Sequence, residues 1–273
     1  MPERLIITSA QNPRLKRAAA LQDRRDRERE QAFLIEGYRA LRRAMNNGCP
    51  IQELFICPEL FQGENEPVLI AECEAAGAQV IQLPATLFGK LAYRDRPEGL
   101  AGVAPQRHRP LTEFTPGPAP LLLVAVAIEK PGNLGTMLRS ADATGAAGLI
   151  LCDRCTDLHN PNVVRASTGA LFSVPVFEAD SATVRAWLRA QGIRTLAATP
   201  HTEAIYTEVD LTQPTAIVVG CEMLGLDDAW LSDADLKVRI PMLGQADSLN
   251  VATATTILLY EAARQRAWRQ GPG

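Results

Sequence analysis

The chain has 273 residues, of which 47% are hydrophobic and 22% charged, with a formal net charge of −3. This is the composition of an ordinary globular protein, and it excludes a strongly basic one. The charge is uneven, because residues 1–45 hold eleven Lys and Arg against six Asp and Glu, whereas the remainder holds seventeen against twenty-five. A basic amino-terminal segment indicates a polyanionic partner or, with equal weight, a solvated helix face.

The chain shows no targeting or membrane segment. Its first thirty residues are rich in arginine and lack a continuous apolar core, so we expect no signal peptide. The longest apolar run, Leu121 to Ile128, has eight residues, whereas a membrane-spanning helix needs roughly 20. Six cysteines in a chain of this length do not make a disulfide scaffold. We therefore expect a reduced, cytoplasmic protein without a membrane partner.

The first hundred residues alternate between short helices and short strands. A polar helix with a mixed-charge, solvent-exposed continuation is predicted from Pro13. Strands are predicted at 33–35, 51–57, 79–83 and 99–104, and helices at 38–47, 67–76 and 86–91. These elements predict a small α/β domain over residues 1–105. Five prolines between Pro105 and Pro120 then indicate an extended linker over residues 106–120.

The remainder, residues 121–273, shows a regular alternation of strands and helices. Strands are predicted at 121–128, 148–152, 172–176, 194–198, 216–220 and 237–240. Helices are predicted at 134–144, 161–169, 182–191, 227–231 and 248–266. The first strand is wholly apolar, which is typical of a parallel sheet covered on both faces. The pattern predicts an α/β domain with a parallel sheet.

Three segments rich in small and polar residues follow predicted strands, at 129–141, 219–226 and 240–252. Ligands bind at the carboxyl ends of the strands in such sheets. Each segment also has a simpler explanation, since Asn133 is a typical helix cap, either Ser248 or Asn250 is another, and Arg139 is a typical surface ion-pair residue. Gly220 and Glu222 likewise fit a turn and a helix first turn. The occurrence of all three at one sheet edge favours a binding site.

Several common catalytic motifs are missing from the sequence. There is no dinucleotide fingerprint G-x-G-x-x-G after a strand, no phosphate loop and no G-x-S-x-G elbow. The three histidines show no metal-ligand spacing, so no metal is expected. Cys152 and Cys155 form a C-x-x-C pair without a second pair, and a redox or zinc function is a minor alternative.

The three polar segments resemble a known family in order and spacing. They contain Asn133-x-Gly135-x-x-x-Arg139, Gly220-x-Glu222-x-x-Gly225-Leu226 and Ile240-Pro241-Met242 followed by Ser248-Leu249-Asn250-Val251. Over residues 121–266 they resemble the three motifs of the SpoU/TrmH RNA 2′-O-ribose methyltransferases of the SPOUT superfamily. One departure is plain, because the second motif has Cys221 and Met223 where the family usually has Asn and Gly.

The amino-terminal part adds to this resemblance. Asn12-Pro13-Arg14 and the stretch 33–37 resemble the ribosomal-protein-like RNA-binding domain that often precedes the catalytic domain of this family. The resemblance implies a carboxy-terminal SPOUT domain with a trefoil knot, a homodimer and S-adenosylmethionine (AdoMet) as cofactor. It implies methylation of a ribose 2′-hydroxyl, with 23S ribosomal RNA favoured as substrate. A tRNA 2′-O-methyltransferase and a non-catalytic RNA-binding protein on the same fold are the alternatives.

The resemblance also implies roles for particular residues. Arg139 is expected to act in catalysis, and we favour a clamp on the RNA phosphate over a general base because a guanidinium stays protonated. Asn133 would position the ribose, Glu222 would orient Arg139 or its own loop, and Ser248 and Asn250 would fix the third loop. Residues expected to hold the cofactor are Gly220, Ile240, Met242, Gly244 and Leu249. Residues expected to bind RNA are Arg14, Lys16, Arg17, Arg42, Arg43 and Arg165.

Overall fold

The computed structural model describes residues 4–93 and 96–266, which fold as two units. Unit 1 contains the chain up to Arg107 together with Asp157–Ser173, and unit 2 contains His108–Thr156 and the chain from Val174 onward. The predicted limits 1–105, 106–120 and 121–273 follow chain order, whereas unit 1 takes a segment from inside the last of these stretches. As limits of independently folding domains they stay a prediction.

The strands of both units agree with most of the predicted ones. They are β1 (Leu5–Ile6), β2 (Ala32–Glu36), β3 (Glu53–Ile56), β4 (Gln79–Gln82), β5 (Leu100–Pro105), β6 (Leu121–Val126), β7 (Gly148–Cys152), β8 (Val176–Ala179), β9 (Arg194–Ala198), β10 (Thr215–Val219) and β11 (Leu236–Val238). Strands and helices alternate in both units, so the predicted α/β class is confirmed.

The helices lie between these strands in the chain. They are α1 (Pro13–Ala20), α2 (Arg24–Glu30), α3 (Tyr38–Asn46), α4 (Glu66–Ala75), α5 (Ala85–Phe88), α6 (Pro131–Ala143), α7 (Pro161–Ser167), α8 (Ala170–Ser173), α9 (Ser181–Ala190), α10 (Asp228–Asp233) and α11 (Val251–Gln265). Among the described residues no helix is both long enough and apolar enough to cross a bilayer.

Unit 1 is built on a mixed sheet of order β1-β4-β3-β5-β2, in which β5 runs antiparallel to both of its neighbours. Successive side chains of a strand point to opposite faces. Phe33 and Ile35 of β2 therefore pack in one buried cluster, and Ala32 and Leu34 pack in another on the opposite face. The sheet is covered on both faces, which explains why β2 is apolar at four consecutive positions.

A buried ion pair joins the segment 157–173 to the rest of unit 1. The Arg27 guanidinium donates to Asp157 Oδ2 from Nε (2.9 Å) and Nη2 (2.6 Å), and also to the carbonyl oxygens of Leu21 and Gln22. Burial raises the pKa of Asp157, but hydrogen bonds from Arg27 and from the backbone of His159 outweigh it and hold the pKa below its usual range. The prediction that the whole charged helix is exposed is wrong at Arg27, which is 1% exposed.

Helix α7 packs within unit 1, where Val164 joins the buried cluster that contains Phe33. The predicted strand at 172–176 is wrong, because 170–173 form α8 and the strand begins at Val176. Phe172 instead packs within unit 1, with its ring centroid 6.4 Å from that of Phe33. Its apolar side chain belongs to a helix–sheet contact, which a short apolar run does not distinguish from a strand.

Unit 2 contains a wholly parallel sheet of order β11-β9-β10-β6-β7-β8. The predicted parallel sheet is therefore confirmed. The chain proceeds from β6 through β7 to β8 in one direction and then crosses to β9, so the strand order reverses between β6 and β10. A crevice for ligands is expected outside the carboxyl ends of the strands at such a reversal. The predicted trefoil knot stays a prediction.

Both ends of the described part of unit 2 contact the rest of this unit. The segment expected to be a linker folds with this unit, since Leu111 is buried and the Phe114 ring stacks 4.4 Å from Phe177 and 5.4 Å from Trp187. At the other end the Arg266 guanidinium donates to the carbonyl oxygens of Leu211 (2.7 Å) and Ala119 (2.8 Å). These bonds hold the end of α11 against the start of the sheet.

Candidate active site

The first loop of the site joins β6 to α6. Helix α6 begins at Pro131, with Lys130 at the cap position, so Asn133 lies in the first helical turn and is not the cap. The Thr156 hydroxyl lies 2.7 Å from the carbonyl oxygen of Ile128 and 2.6 Å from that of Glu129. Thr156 therefore holds the loop that leads into Asn133, whose amide is not used for capping.

The second loop follows β10 and is shaped by a close backbone approach at Gly220. A Cβ atom placed on Gly220 would lie 2.0 Å from the carbonyl oxygen of Gly225 and 2.2 Å from its carbonyl carbon. Gly225 has a φ of +69°, and its N–H donates to the carbonyl oxygen of Cys221 at 3.0 Å. The loop closes so tightly that only glycine fits at position 220.

The third loop runs from the end of β11 to α11. Asn250 caps the helix, because its Oδ1 accepts hydrogen bonds from the backbone N–H groups of Ala252 (2.9 Å) and Thr253 (3.4 Å). The sequence left Ser248 and Asn250 as alternative caps, and the structure selects Asn250. The predicted helix start at Ser248 is therefore three residues too early.

Asn133 joins all three loops. Its Nδ2 donates to Glu222 Oε1 in the second loop, and its Oδ1 accepts a hydrogen bond of 3.1 Å from Asn250 Nδ2 in the third loop. One amide group thus uses both its donor and its acceptor on partners that are far away in the sequence. Helices α6 and α11 are joined again by the Ser140 and Thr256 hydroxyls, 2.7 Å apart.

The second oxygen of Glu222 gives this cluster a group ready for a ligand. Glu222 Oε2 is buried and has no hydrogen-bond partner among the described residues. A buried acceptor without a partner is costly, and a ligand hydroxyl or N–H would satisfy it. The cluster therefore has one acceptor available beside an amide that is already fixed in orientation.

The remaining predicted catalytic residues lie near this cluster in the chain but are not bonded to it. Arg139 is exposed on α6, six residues beyond Asn133, and forms no ion pair or hydrogen bond within residues 4–93 and 96–266. Six helical residues span about 9 Å along the axis. Ser248 is exposed two residues before Asn250. The structure thus brings Asn133, Glu222 and Asn250 together and leaves Arg139 as an unpaired cation on the same helix as Asn133.

The residues expected to hold the cofactor lie on the second and third loops. Gly220 is buried, Ile240, Met242 and Leu249 are half-buried, and Gly244 is exposed. Large apolar side chains project from the same loops, since Met223 is 85%, Leu224 87% and Leu243 99% exposed. The assignment of Gly220, Ile240, Met242, Gly244 and Leu249 to AdoMet binding stays a prediction.

The chemistry of these loops suits AdoMet. The close approach at Gly220 and the long stretch 240–250 without helix or strand leave main-chain groups of the two loops available to a nucleoside. The half-buried apolar side chains of Ile240, Met242 and Leu249 suit an adenine ring. Cys221 stands where the family usually has asparagine. It is half-buried, so this position of the second loop offers a thiol and no side-chain amide.

Most of the residues expected to bind RNA are engaged with neighbours in unit 1. Arg17 forms an ion pair of 2.6 Å with Glu53, Arg14 lies 3.6 Å from the same carboxylate, and Arg42 pairs with Glu72. These acidic partners compete with phosphate for the guanidinium groups.

The three other predicted RNA-binding residues contact neighbours of a different kind. The Lys16 ammonium donates to Gln11, and the Arg43 side chain lies where a Cβ on Gly169 would be. The Arg165 guanidinium lies over the ring of Tyr93. The predicted RNA-binding set stays a prediction.

The two cysteines of the C-x-x-C pair differ in their exposure to solvent. Cys152 is buried at the end of β7, where burial raises the pKa of its thiol, and Asp153 and Asp180 raise it further. Cys155 is exposed. In the part of the chain that the structure describes, no group of three or more His, Cys, Asp or Glu side chains is placed to hold a metal ion.

Comparison with known proteins identifies the family of this chain. The profile of the SpoU rRNA Methylase family matches residues 120–260, and that of the MRM3-like substrate binding domain matches residues 12–102. A 23S rRNA (uridine(2479)-2′-O)-methyltransferase of Streptomyces viridochromogenes is 35% identical over 91% of this chain and 88% of its own length. A 23S rRNA (guanosine(2553)-2′-O)-methyltransferase of Bacillus subtilis is 31% identical, covering 93% of this chain and 97% of its own.

Solved structures give the same result. The AdoMet-bound rRNA methyltransferase of Sinorhizobium meliloti has a TM-score of 0.87 at 32% identity and covers 95% of this chain and 97% of its own. The SpoU methyltransferase AviRb of Streptomyces viridochromogenes with AdoMet has a TM-score of 0.85 at 32% identity, over 96% and 100% of the two chains. The family predicted from the three motifs is thereby confirmed, and the chain belongs to the SpoU rRNA methylase family.

Proposed function

We propose that this protein is an AdoMet-dependent methyltransferase that methylates a ribose 2′-hydroxyl of 23S ribosomal RNA. The observation that carries the proposal is the link from Asn133 to Glu222 and Asn250, which joins three loops at the carboxyl edge of one parallel sheet. The relatives are named as 23S rRNA 2′-O-methyltransferases, and AdoMet is bound in two of the similar solved structures.

When bound, AdoMet supplies an activated methyl group, so the protein itself has to align the hydroxyl and help it to lose its proton. Correct alignment alone contributes roughly 7–11 kcal/mol in well-oriented systems. Asn133 would hold the ribose in place, because Glu222 and Asn250 already fix its amide. Glu222 Oε2 would accept a hydrogen bond from the substrate or from Arg139.

Arg139 would contact the RNA at the reacting nucleotide. It is exposed and has no acidic partner among the described residues, so its charge is available to a phosphate. A guanidinium binds phosphate through two parallel hydrogen bonds and stays charged at neutral pH. Arg139 would therefore hold the phosphate beside the ribose and polarise the 2′-hydroxyl, whose proton would pass to a phosphate oxygen.

The protein would act in the cytoplasm as a homodimer. Met223, Leu224 and Leu243 are 85–99% exposed on two loops of the site, and a second copy that covered them would remove a large apolar area from water. These side chains lie on the same loops as Glu222 and Ser248, so the association of two chains would also shape the site.

The proposal is tested with Arg139→Ala. We expect methyl transfer from labelled AdoMet to 23S rRNA to fall about 100-fold or more, because a positioned donor that stabilises developing charge is worth about 10²–10³. Binding of AdoMet by calorimetry should stay close to that of the wild type. Arg189→Ala is the matched control, since Arg189 is also exposed on a helix of unit 2, with 72% of its side chain accessible. Near-normal turnover of Arg139→Ala would remove Arg139 from the mechanism, and a wild-type protein that does not bind AdoMet would indicate a non-catalytic RNA-binding protein.

A further inference from the structure

Tyr93 presents an aromatic ring at the surface of unit 1. It is 44% exposed, and in the described part of unit 1 the other large apolar side chains this exposed are the aliphatic Leu5, Ile6 and Val68. A single exposed apolar residue is common on protein surfaces. What sets Tyr93 apart is the number of contacts that hold it in one position.

Tyr93 is fixed at both its backbone and its hydroxyl group. Its backbone N–H donates to Glu36 Oε2 at 2.8 Å, and its hydroxyl accepts a hydrogen bond of 2.7 Å from Asn162 Nδ2. Asn162 is itself placed by the cap of α7, because its backbone N–H donates to Asn160 Oδ1 at 2.9 Å. The ring is therefore held without being buried, and little side-chain entropy remains to be lost on binding.

A guanidinium covers one side of this ring. The Arg165 guanidinium carbon lies 5.7 Å from the Tyr93 ring centroid, and its Nη2 donates to Asn162 Oδ1 at 3.3 Å. Arg165 is exposed and makes no ion pair with any carboxylate of the described residues. Asn162 thus bonds to both members of the pair, and among the described residues no carboxylate pairs with the Arg165 charge.

A second Tyr–Arg pair in unit 1 shows the difference. Arg42 lies 5.8 Å from the ring centroid of Tyr38, but Arg42 also pairs with Glu72, and Tyr38 is half-buried. That pair is neutralised and packed within the fold. The pair of Tyr93 and Arg165 has the same geometry without the acidic partner, and its ring is open to solvent.

We propose that Tyr93 and Arg165 form a stacking site for an unpaired base of the RNA substrate. Bases that are not in a helix stack on aromatic rings and on guanidinium planes in RNA-binding proteins. The Tyr93 ring and the Arg165 guanidinium offer two flat surfaces, so the base is the part of the nucleotide that lies there. The inference rests on the proposed function and narrows its substrate to RNA with an unpaired nucleotide beside the target.

The test compares two RNA probes and three variants of the full chain without AdoMet. The probes are a hairpin whose adenosine loop contains 2-aminopurine and an uninterrupted duplex of the same length. We expect Tyr93→Ala to weaken hairpin binding about tenfold, as loss of one base–aromatic stack does, and to leave duplex binding unchanged. Tyr93→Phe keeps the ring and should retain most of the affinity. Val68→Ala, at another exposed apolar residue of unit 1, should bind as the wild type does.

The fluorescence of 2-aminopurine reports stacking directly. The wild type and Tyr93→Phe should quench it, whereas Tyr93→Ala should not, and a purely structural role of Tyr93 would not move this signal. Equal hairpin affinity and equal quenching by wild type and Tyr93→Ala would overturn this inference while leaving the proposed function in place. A wild-type protein that binds neither RNA would also overturn this inference, whereas methyl transfer to 23S rRNA tests the proposed function separately.

Discussion

The ion pairs of unit 1 and the loops of the proposed site in unit 2 differ in how their charged side chains are satisfied. In unit 1, Arg17 pairs with Glu53 and the buried Arg27 pairs with Asp157. In unit 2, Glu222 Oε2 is buried without a partner and Arg139 is an exposed cation without one, as far as the described residues extend. Groups that the fold does not satisfy are available to a ligand, which supports the proposed site in the loops of unit 2.

The largest effect is expected when the buried ion pair of unit 1 is broken. Replacing Arg27 by Met leaves the Asp157 carboxylate buried without its charged partner, and such a change costs about 3–5 kcal/mol of unfolding free energy. Urea denaturation followed by circular dichroism measures it. The double variant Arg27→Met with Asp157→Leu should recover much of the loss, because it buries no lone charge.

The control for this prediction is an ion pair on the surface of the same helix. Arg24→Ala removes a pair with Glu28 in which both side chains are 50% exposed, and it should cost about 0.5 kcal/mol or less. Equal losses from Arg27→Met and Arg24→Ala would contradict the assignment of Arg27 as a buried structural residue.

The next effect concerns the backbone of the second loop. Gly220→Ala places a Cβ 2.0 Å from the Gly225 carbonyl oxygen, so the loop has to open. We expect AdoMet affinity by calorimetry to fall about 100-fold, which is about 2.7 kcal/mol. Gly117→Ala, where an added Cβ meets nothing within 4 Å, should bind the cofactor normally. Unchanged affinity of Gly220→Ala would mean that this loop does not form the cofactor site.

The smallest effect separates capping from chemistry at Asn250. Asn250→Asp keeps the oxygen that caps α11 but loses the amide donor to Asn133 Oδ1. We expect the melting temperature to stay close to that of the wild type and kcat for methyl transfer to fall about tenfold, equivalent to about 1.4 kcal/mol. Asn250→Ala should lose both stability and turnover. A normal kcat in Asn250→Asp would reduce Asn250 to a helix cap.

The sequence predicted the position of the site better than its contacts. Small and polar residues after β6, β10 and β11 indicated three ligand loops, because the carboxyl ends of parallel strands meet at one edge. The sequence could not show that Asn133 bonds to Glu222, 89 residues away, or that α6 begins at Pro131 and so frees this amide from capping. Such pairings depend on strand order and helix phase, which local patterns do not encode.

In unit 1 the sequence failed to predict a buried residue. The charge run around Arg27 has the pattern of an exposed helix, and its partner Asp157 lies 130 residues away on a segment that chain order assigns to the second domain. Thr156 was missed for a related reason, since a lone threonine gives no signal that it will hold the loop before Asn133. Long-range partners of this kind become visible only once the chain is folded.

We propose that the linked loops of unit 2 direct a methyl group to a ribose oxygen. The most direct test is to incubate the purified protein with 23S rRNA and AdoMet labelled in its methyl group, and then to hydrolyse the RNA with alkali. A 2′-O-methyl group blocks cleavage of the adjoining phosphodiester, so the account predicts that the label is recovered in an alkali-resistant dinucleotide. Label recovered in mononucleotides carrying a methylated base would contradict it.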